Sequence, residues 1–314
     1  MSKRVQEYPM KASIDIGSNS VLFLITTVRE NGFEDIISMA EIAGLGKGID
    51  KTGKLDLDRR LNTIKILKRY VKEAKKYDFK PSDIVVTATE ACRATSNADS
   101  FIDEVKKQTG LEIKVITGEA EAIMTARGIC HGLAKRDDEF VILDVGGAST
   151  ELILVQNHPF KVIETVSTPI GSVRASDYID EGSFQNKMDD IFKKFDLSKF
   201  NASTIVGVAG TMTSIAAMIK GSSKFEENKV NGLEISFDRF ENYLNKLADL
   251  TPEKLLVQYP FLGKRSETIL SGARVARAFG LKLGVENFNI STLGLRYGSI
   301  LYDEIPLEFL AENN

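Results

Sequence analysis

Cysteine, histidine and long apolar runs are all scarce in this chain, and each scarcity removes a class of function. Two cysteines in 314 residues, Cys92 and Cys130, stand far apart and outside any Cys-x-x-Cys pattern. Neither a disulfide framework nor a cysteine-rich zinc site can be built from them, and both read as reduced structural thiols. Two histidines, His131 and His158, are too few for a histidine-rich metal centre. Any metal would have to be held by carboxylate and phosphate oxygens, the hard donors that magnesium prefers. The opening MSKRVQEYPM has no apolar centre of the signal-peptide kind, and the apolar run Val21 to Ile25 is far too short to span a bilayer. A soluble, cytoplasmic protein with no membrane partner is expected. The formal charge of -3 gives no overall field for a polyanion, so no nucleic-acid partner is expected and an anionic ligand has to be recognised locally.

What is present is enough apolar material, 43% of the side chains, to fill the cores of two ordinary domains. The most informative feature is an internal repeat. Ala12-Ser13-Ile14-Asp15-Ile16-Gly17-Ser18-Asn19-Ser20 is echoed by Val141-Ile142-Leu143-Asp144-Val145-Gly146-Gly147-Ala148-Ser149, with aspartate, glycine and serine at the same offsets. Each copy is followed by a second apolar stretch, so each predicts strand, tight small-residue turn, strand. Two homologous α/β halves follow.

Within the first half, Leu61, Ile64, Leu67 and Val71 predict a helix over 58–77. Its lysines, Lys65, Lys68, Lys72 and Lys75, fall on the other face and read as solvated. Strands are expected at 84–87 and 113–116, and helices at 99–108 and from Glu119 to Gly128. In the second half a strand at 205–208 runs into Gly210-Thr211 and a helix, with further helices over 238–250 and 266–279. The expected domains are 1–128, with a C-terminal helix at about 300–314 packing back on it, and 129–314.

A strand that ends in Asp-x-Gly followed by small residues offers open backbone amides and hydroxyls to phosphate oxygens, while the aspartate can hold a metal or its water. One such loop is common in plain hairpins. Two at matching offsets point to a phosphate chain clamped from two sides.

The stretches DIGSNS (15–20), TATEACRATSN (87–97), ITGEAEA (116–122), DVGGASTEL (144–152), PIGSVR (169–174), GVAGTMTS (207–214) and STLGLRYG (291–298) together resemble the exopolyphosphatase and guanosine pentaphosphate phosphohydrolase family, in its short, two-domain form. The resemblance runs from about Asp15 to Gly298. It implies an α/β fold of two duplicated ribonuclease-H-like (actin-like ATPase) domains with an interdomain cleft. It also implies metal-dependent hydrolysis of phosphoanhydride bonds in polyphosphate or guanosine pentaphosphate, with Mg2+ (or Mn2+) as cofactor and a homodimer as a possible assembly. By motif, Glu121 would activate the attacking water, with Glu151 as a second catalytic carboxylate. Asp144 and Glu151 would hold the metal or its waters, and Arg93 would contact phosphate. Gly17, Ser18, Asn19, Ser20, Gly146, Gly147, Ala148 and Ser149 would cradle the phosphates, and Gly210 and Thr211 would stand where superfamily relatives bind a nucleoside.

Read from the residues alone, each role has an ordinary alternative. Glu121 opens a helix, where an acid also stabilises the dipole. Glu151 could be an exposed strand residue, Arg93 a surface ion pair and Gly210 a plain helix start. Asp144 is harder to explain away, since it ends an otherwise apolar strand. Four positions also depart from the family pattern: Gly44 and Ile123 where arginines are usual, Ala120 where a second glutamate precedes Glu121, and Ala148 where a third glycine stands. Ala148 fits only a loop that is not left-handed there. Two other readings stay open: a kinase or ATPase of the same superfamily, and a sensor that binds a polyphosphorylated nucleotide with little turnover.

Overall fold

A computed structural model describes residues 8–132 and 139–311. Two compact units are present. Unit 1 holds the described residues of Met1–Ile16, Ser20–Lys135 and Leu295–Asn314, and unit 2 those of Gly17–Asn19 and Arg136–Gly294.

Unit 1 is built on the strands β1 (Met10–Ile16), β2 (Ser20–Arg29), β3 (Gly32–Ile42), β4 (Ile84–Ala88) and β5 (Ile113–Val115), with α1 (Ile49–Thr52), α2 (Leu57–Ala74), α3 (Glu90–Arg93), α4 (Ala98–Thr109) and α5 (Gly118–Gly132). The sheet order is β3-β2-β1-β4-β5. The first three strands are antiparallel, and β4 and β5 run parallel to β1. Ala12, Ile14 and Ile16 alternate on β1 with polar or opposite-facing neighbours, as do Val21, Phe23 and Ile25 on β2, and this period of two drives one face into a core with α2 and α4. Helix α2 starts where the Asp56 carboxylate accepts the Arg59 N–H at 3.1 Å, a side-chain N-cap. Its buried stripe is Ile64, Leu67 and Val71 as expected, joined by Thr63, Ile66 and Tyr70, whereas Leu61 is 39% exposed. Tyr70 stacks on Phe23 and donates its hydroxyl to the Val21 carbonyl at 3.0 Å, which ties helix to sheet. Lys65, Lys68, Lys72 and Lys75 are all exposed.

Unit 2 repeats this plan. Its strands are β6 (Glu139–Val145), β7 (Thr150–Gln156), β8 (Lys161–Thr168), β9 (Thr204–Val208), β10 (Glu234–Ser236) and β11 (Asn287–Ile290). Their order β10-β11-β9-β6-β7-β8 contains the five-strand order of unit 1, with β10 added at one edge. The helices are α6 (Ser172–Asp180), α7 (Phe184–Lys194), α8 (Ala209–Ile219), α9 (Glu227–Val230), α10 (Phe237–Leu247), α11 (Pro252–Gln258) and α12 (Ile269–Leu283). Val141, Leu143 and Val145 of β6, with Leu152 and Leu154 of β7, face a large core closed by α8, α10 and α12.

The chain re-enters unit 1 at α13 (Leu295–Ser299). The helix expected over 300–314 is not formed among the described residues: turns and bends lead to a single 3-10 turn at Leu307–Phe309, and 312–314 lie outside them. Leu295 packs with Ile116, Ala120 and Met124 of unit 1. Helix α13 crosses α5 so closely that a Cβ on Gly298 would overlap the backbone carbonyl of Met124. Backbone cannot retract as a side-chain tip can, so Gly298→Ala should destabilise unit 1 by about 1–3 kcal/mol. Thermal unfolding checks this; an unchanged melting temperature would contradict the close crossing.

Candidate functional site

Both predicted hairpins form with one geometry. The aspartate is the second-last strand residue, and the residue after it pairs across the turn, Ile16 with Val21 and Val145 with Thr150. In unit 2 the turn 146–149 lies against the start of α6. The Ser172 N–H donates to the Gly146 carbonyl and the Val173 N–H to the Gly147 carbonyl, both at 2.8 Å. The Arg174 guanidinium donates to the Ala148 carbonyl, also at 2.8 Å. A helix start carries unsatisfied N–H groups, and here the turn's carbonyls supply the acceptors. Every carbonyl of Gly146, Gly147 and Ala148 is thus occupied. Among the described residues nothing accepts from the N–H groups of Gly147, Ala148 or Ser149. Backbone N–H groups left open together in this way can accept an anion. Ala148 is not left-handed, since the non-glycine residues with positive φ are Asp78 and Ala209; the alanine is therefore accommodated without strain. The tip Gly17–Asn19 belongs to unit 2, where Asn19 lies against Gly147. Ser18 is buried, and Ser20 opens β2 in unit 1.

Asp144 and Glu151 are direct register partners on β6 and β7, so their side chains share one face of the sheet. Glu151 is 7% exposed, which sets aside the surface-strand alternative, and its Oε1 accepts the Ser167 hydroxyl at 2.8 Å. Among the described residues no group of three or more His, Cys, Asp or Glu side chains converges. A pair of carboxylates completed by phosphate oxygens and water is the donor set magnesium takes in phosphoryl-transfer sites, so these residues fit such an ion.

Asp144 also pairs with Val208, the last residue of β9, which sets the start of α8 beside it. There Ala209 has φ 63°, a left-handed alanine that costs about 1–2 kcal/mol and marks a turn held by its surroundings. Thr211 is buried and packed on Gly272 of α12, so its backbone amide, not its hydroxyl, is what it can offer a ligand. Gly210 has no side chain because Arg265 lies over it: a Cβ there would come within 2.6 Å of a guanidinium nitrogen. Arg265 donates to the Ser214 hydroxyl at 2.9 Å and has no acidic partner among the described residues. Burial pushes its pKa down to about 10, so it stays charged at neutral pH. The sequence reading missed Arg265. No local pattern marks it, because its partner lies 51 positions away.

In unit 1 the structure brings together Glu121 and Arg93. Both terminal nitrogens of Arg93 lie 3.1 Å from Glu121 Oε2; one also donates to the Ile116 carbonyl at 2.6 Å and the other to Glu90 Oε2 at 3.3 Å. Burial raises the pKa of Glu121, the Arg93 charge and hydrogen bonds oppose the rise, and the Glu90 charge adds to it. A carboxylate whose proton affinity is raised is a better proton acceptor. Two departures from the family pattern have local causes. Ala120 is fully buried against Ile116, Met124 and Leu295, where a carboxylate would lose its water. At Gly44, φ is 64° and the Arg59 guanidinium covers the position, donating to the Gly44 carbonyl at 3.1 Å.

Residues 24–308 match the model of the Ppx/GppA phosphatase family. The chain is 30% identical over 289 residues to the bifunctional 3-dehydroquinate synthase/phosphatase of Fusobacterium nucleatum, a match that covers 85% of this chain and 42% of that protein. It is 26% identical to exopolyphosphatase 2 of Mycobacterium tuberculosis, over 89% of this chain and 94% of the relative. A guanosine-5'-triphosphate,3'-diphosphate pyrophosphatase of Vibrio cholerae is 30% identical over 53% of this chain and 33% of its own length. The chain thus spans less than half of some curated relatives and nearly all of another. The crystal structure of the Aquifex aeolicus Ppx/GppA family member superposes with a TM-score of 0.74 at 29% identity, covering 92% of this chain and 96% of that one.

The turn 146–149 depends on Gly171, where a Cβ would meet the backbone of Gly147 at 2.5 Å and the Gly146 carbonyl oxygen at 2.7 Å. Gly171→Ala should therefore push the turn off α6, costing about 1–3 kcal/mol of stability and weakening binding of tripolyphosphate. Calorimetric melting and titration of that ligand check it; unaltered affinity would show that the turn does not hold phosphate.

Proposed function

Because this chain belongs to the Ppx/GppA phosphatase family, we propose that it hydrolyses phosphoanhydride bonds, releasing terminal phosphate from inorganic polyphosphate, with guanosine pentaphosphate as a second substrate. The observation that carries this reading is the turn 146–149 with its carbonyls consumed and its N–H groups open, set beside the Asp144–Glu151 pair. The nearly full-length match to an exopolyphosphatase, against a match over a third of a guanosine pyrophosphatase, favours polyphosphate as the first substrate.

Phosphoryl transfer to water needs positioning, charge stabilisation and a proton acceptor, with little covalent chemistry. The N–H groups of Gly147, Ala148 and Ser149 bind phosphate oxygens, as do the amides of Gly17, Ser18 and Asn19, and the Ser20 and Ser149 hydroxyls add donors. Asp144 and Glu151 would hold Mg2+ (or Mn2+), which when bound neutralises charge on the phosphates and on the leaving oxygen. Glu121 takes the proton of the attacking water, for which its raised proton affinity suits it. Arg93 orients Glu121 and offers its guanidinium to the transferring group. Arg265, with the Gly210 and Thr211 amides, provides a further cationic site for a phosphate or a nucleoside-linked anion.

Long polyphosphate, tripolyphosphate, guanosine pentaphosphate and ATP should be offered in parallel with magnesium while released phosphate is measured. Release from polyphosphate without any acceptor is expected, and chelation of divalent ions should abolish it. Glu121→Gln should lower turnover by about 100- to 10,000-fold with substrate affinity retained. Tight nucleotide binding with no phosphate after hours would make the protein a sensor, and transfer only to an added acceptor would make it a kinase.

A further inference from the structure

Glu90 lies in the first turn of α3, one turn before Arg93, and the two form an ion pair at 3.3 Å. Arg93 is thereby shared between two carboxylates, since it also holds Glu121 at 3.1 Å. The three side chains are only 31%, 18% and 21% exposed for Glu90, Arg93 and Glu121. We infer that Glu90 is a positioning residue for the reaction, acting on Glu121 through the arginine that both carboxylates hold.

The charge count gives the reason. With Glu121 ionised, the three groups sum to one negative charge; with a proton on Glu121 they sum to zero. In a half-buried setting the neutral sum is favoured, so Glu90 makes proton uptake by Glu121 easier. Without Glu90 the same step would run from neutral to one positive charge, and Arg93 would hold Glu121 in its ionised form, leaving a weaker base. Glu90 has a second effect. As Glu121 gains its proton its attraction for Arg93 falls, and the Glu90 carboxylate together with the Ile116 carbonyl keeps the guanidinium in place. The opposing influences on Glu121, with Arg93 lowering and Glu90 raising its proton affinity, follow the same geometry.

The other charged groups near Glu121 leave this trio distinct. Glu119 on the same helix is exposed. On α13, packed along α5, Arg296 donates to the Phe23 carbonyl at 3.4 Å. On the 3-10 turn whose Phe309 carbonyl accepts from Thr117, Glu308 is exposed. Strand β3 meets α5 near its C-terminal end, through Phe33 and His131.

This inference rests on Glu121 being the base of the proposed reaction, and the experiment separates the two. The pH dependence of kcat on tripolyphosphate is measured for the unaltered protein, Glu90→Gln and Glu90→Asp, with thermal melting alongside. Glu90→Gln should move the acid limb to lower pH and reduce the plateau several-fold, well short of the ~100- to 10,000-fold loss that removal of the base itself costs. Glu90→Asp, which keeps the charge, should restore most of both. A purely structural Glu90 would change the melting temperature and leave the acid limb in place. An unmoved acid limb in a Glu90→Gln protein that still releases phosphate overturns the inference alone. Unaltered protein that releases no phosphate at any pH overturns the hydrolase reading and this inference with it.

Discussion

The site depends on where the carbonyl oxygens of one turn go. A tight turn exposes carbonyl oxygens as readily as amides, and a carbonyl aimed at a phosphate repels it. In the 146–149 turn that conflict is removed by the start of α6 and by Arg174, which take the three carbonyls of Gly146, Gly147 and Ala148. The helix gains acceptors for two of the N–H groups that every helix start leaves over. The turn gains a single polarity. Gly171 is the condition for this arrangement, because any side chain there would stand in the backbone of Gly147. The motif PIGSVR, which carries no reactive group of its own, is in this sense as much part of the proposed phosphate site as the turn it supports.

Much of this architecture is legible in the sequence, and what is not has physical reasons. The duplicated Asp-x-Gly segments give the two sheets, because the apolar residues before and after each turn alternate or run unbroken as buried strands must. Helices α2, α4 and α10 lie within a few residues of their expected bounds, since each carries one strongly apolar face. Helices α6 and α7 are not foreseen: α6 is short and starts inside a motif that reads as a loop. The edge strand β10 has three residues, too few for any period to show. Leu61 looks like part of the α2 stripe by spacing but falls outside the arc of buried residues, which begins at Thr63, and so it is exposed.

Pairs that are distant in sequence are harder to read than motifs. The Asp144–Glu151 pairing is visible in principle, because a four-residue turn between strands fixes which residues lie opposite. Arg93 and Glu121 are each marked by motif, yet nothing local says that they touch: the sequence offers Arg93 a phosphate or an ion pair at the surface, and names no partner for it. Glu90 and Arg265 went unnoticed for the same reason. Each matters through a partner, and for Arg265 also through a glycine, that only the fold brings near.

The duplication is not symmetric in its chemistry. Asp15 and Asp144 occupy the same place in their hairpins, and each has a parallel partner on the next strand, Thr87 and Val208. Across the turn, however, Asp144 faces Glu151 while Asp15 faces Leu22. The first arrangement sets two acids side by side on one sheet face, and the second sets an acid beside an apolar side chain. The two hairpins thus share a backbone plan and differ in the number of acids they place on one sheet face. A single residue, Glu151 against Leu22, separates the hairpin with two facing carboxylates from the hairpin with one.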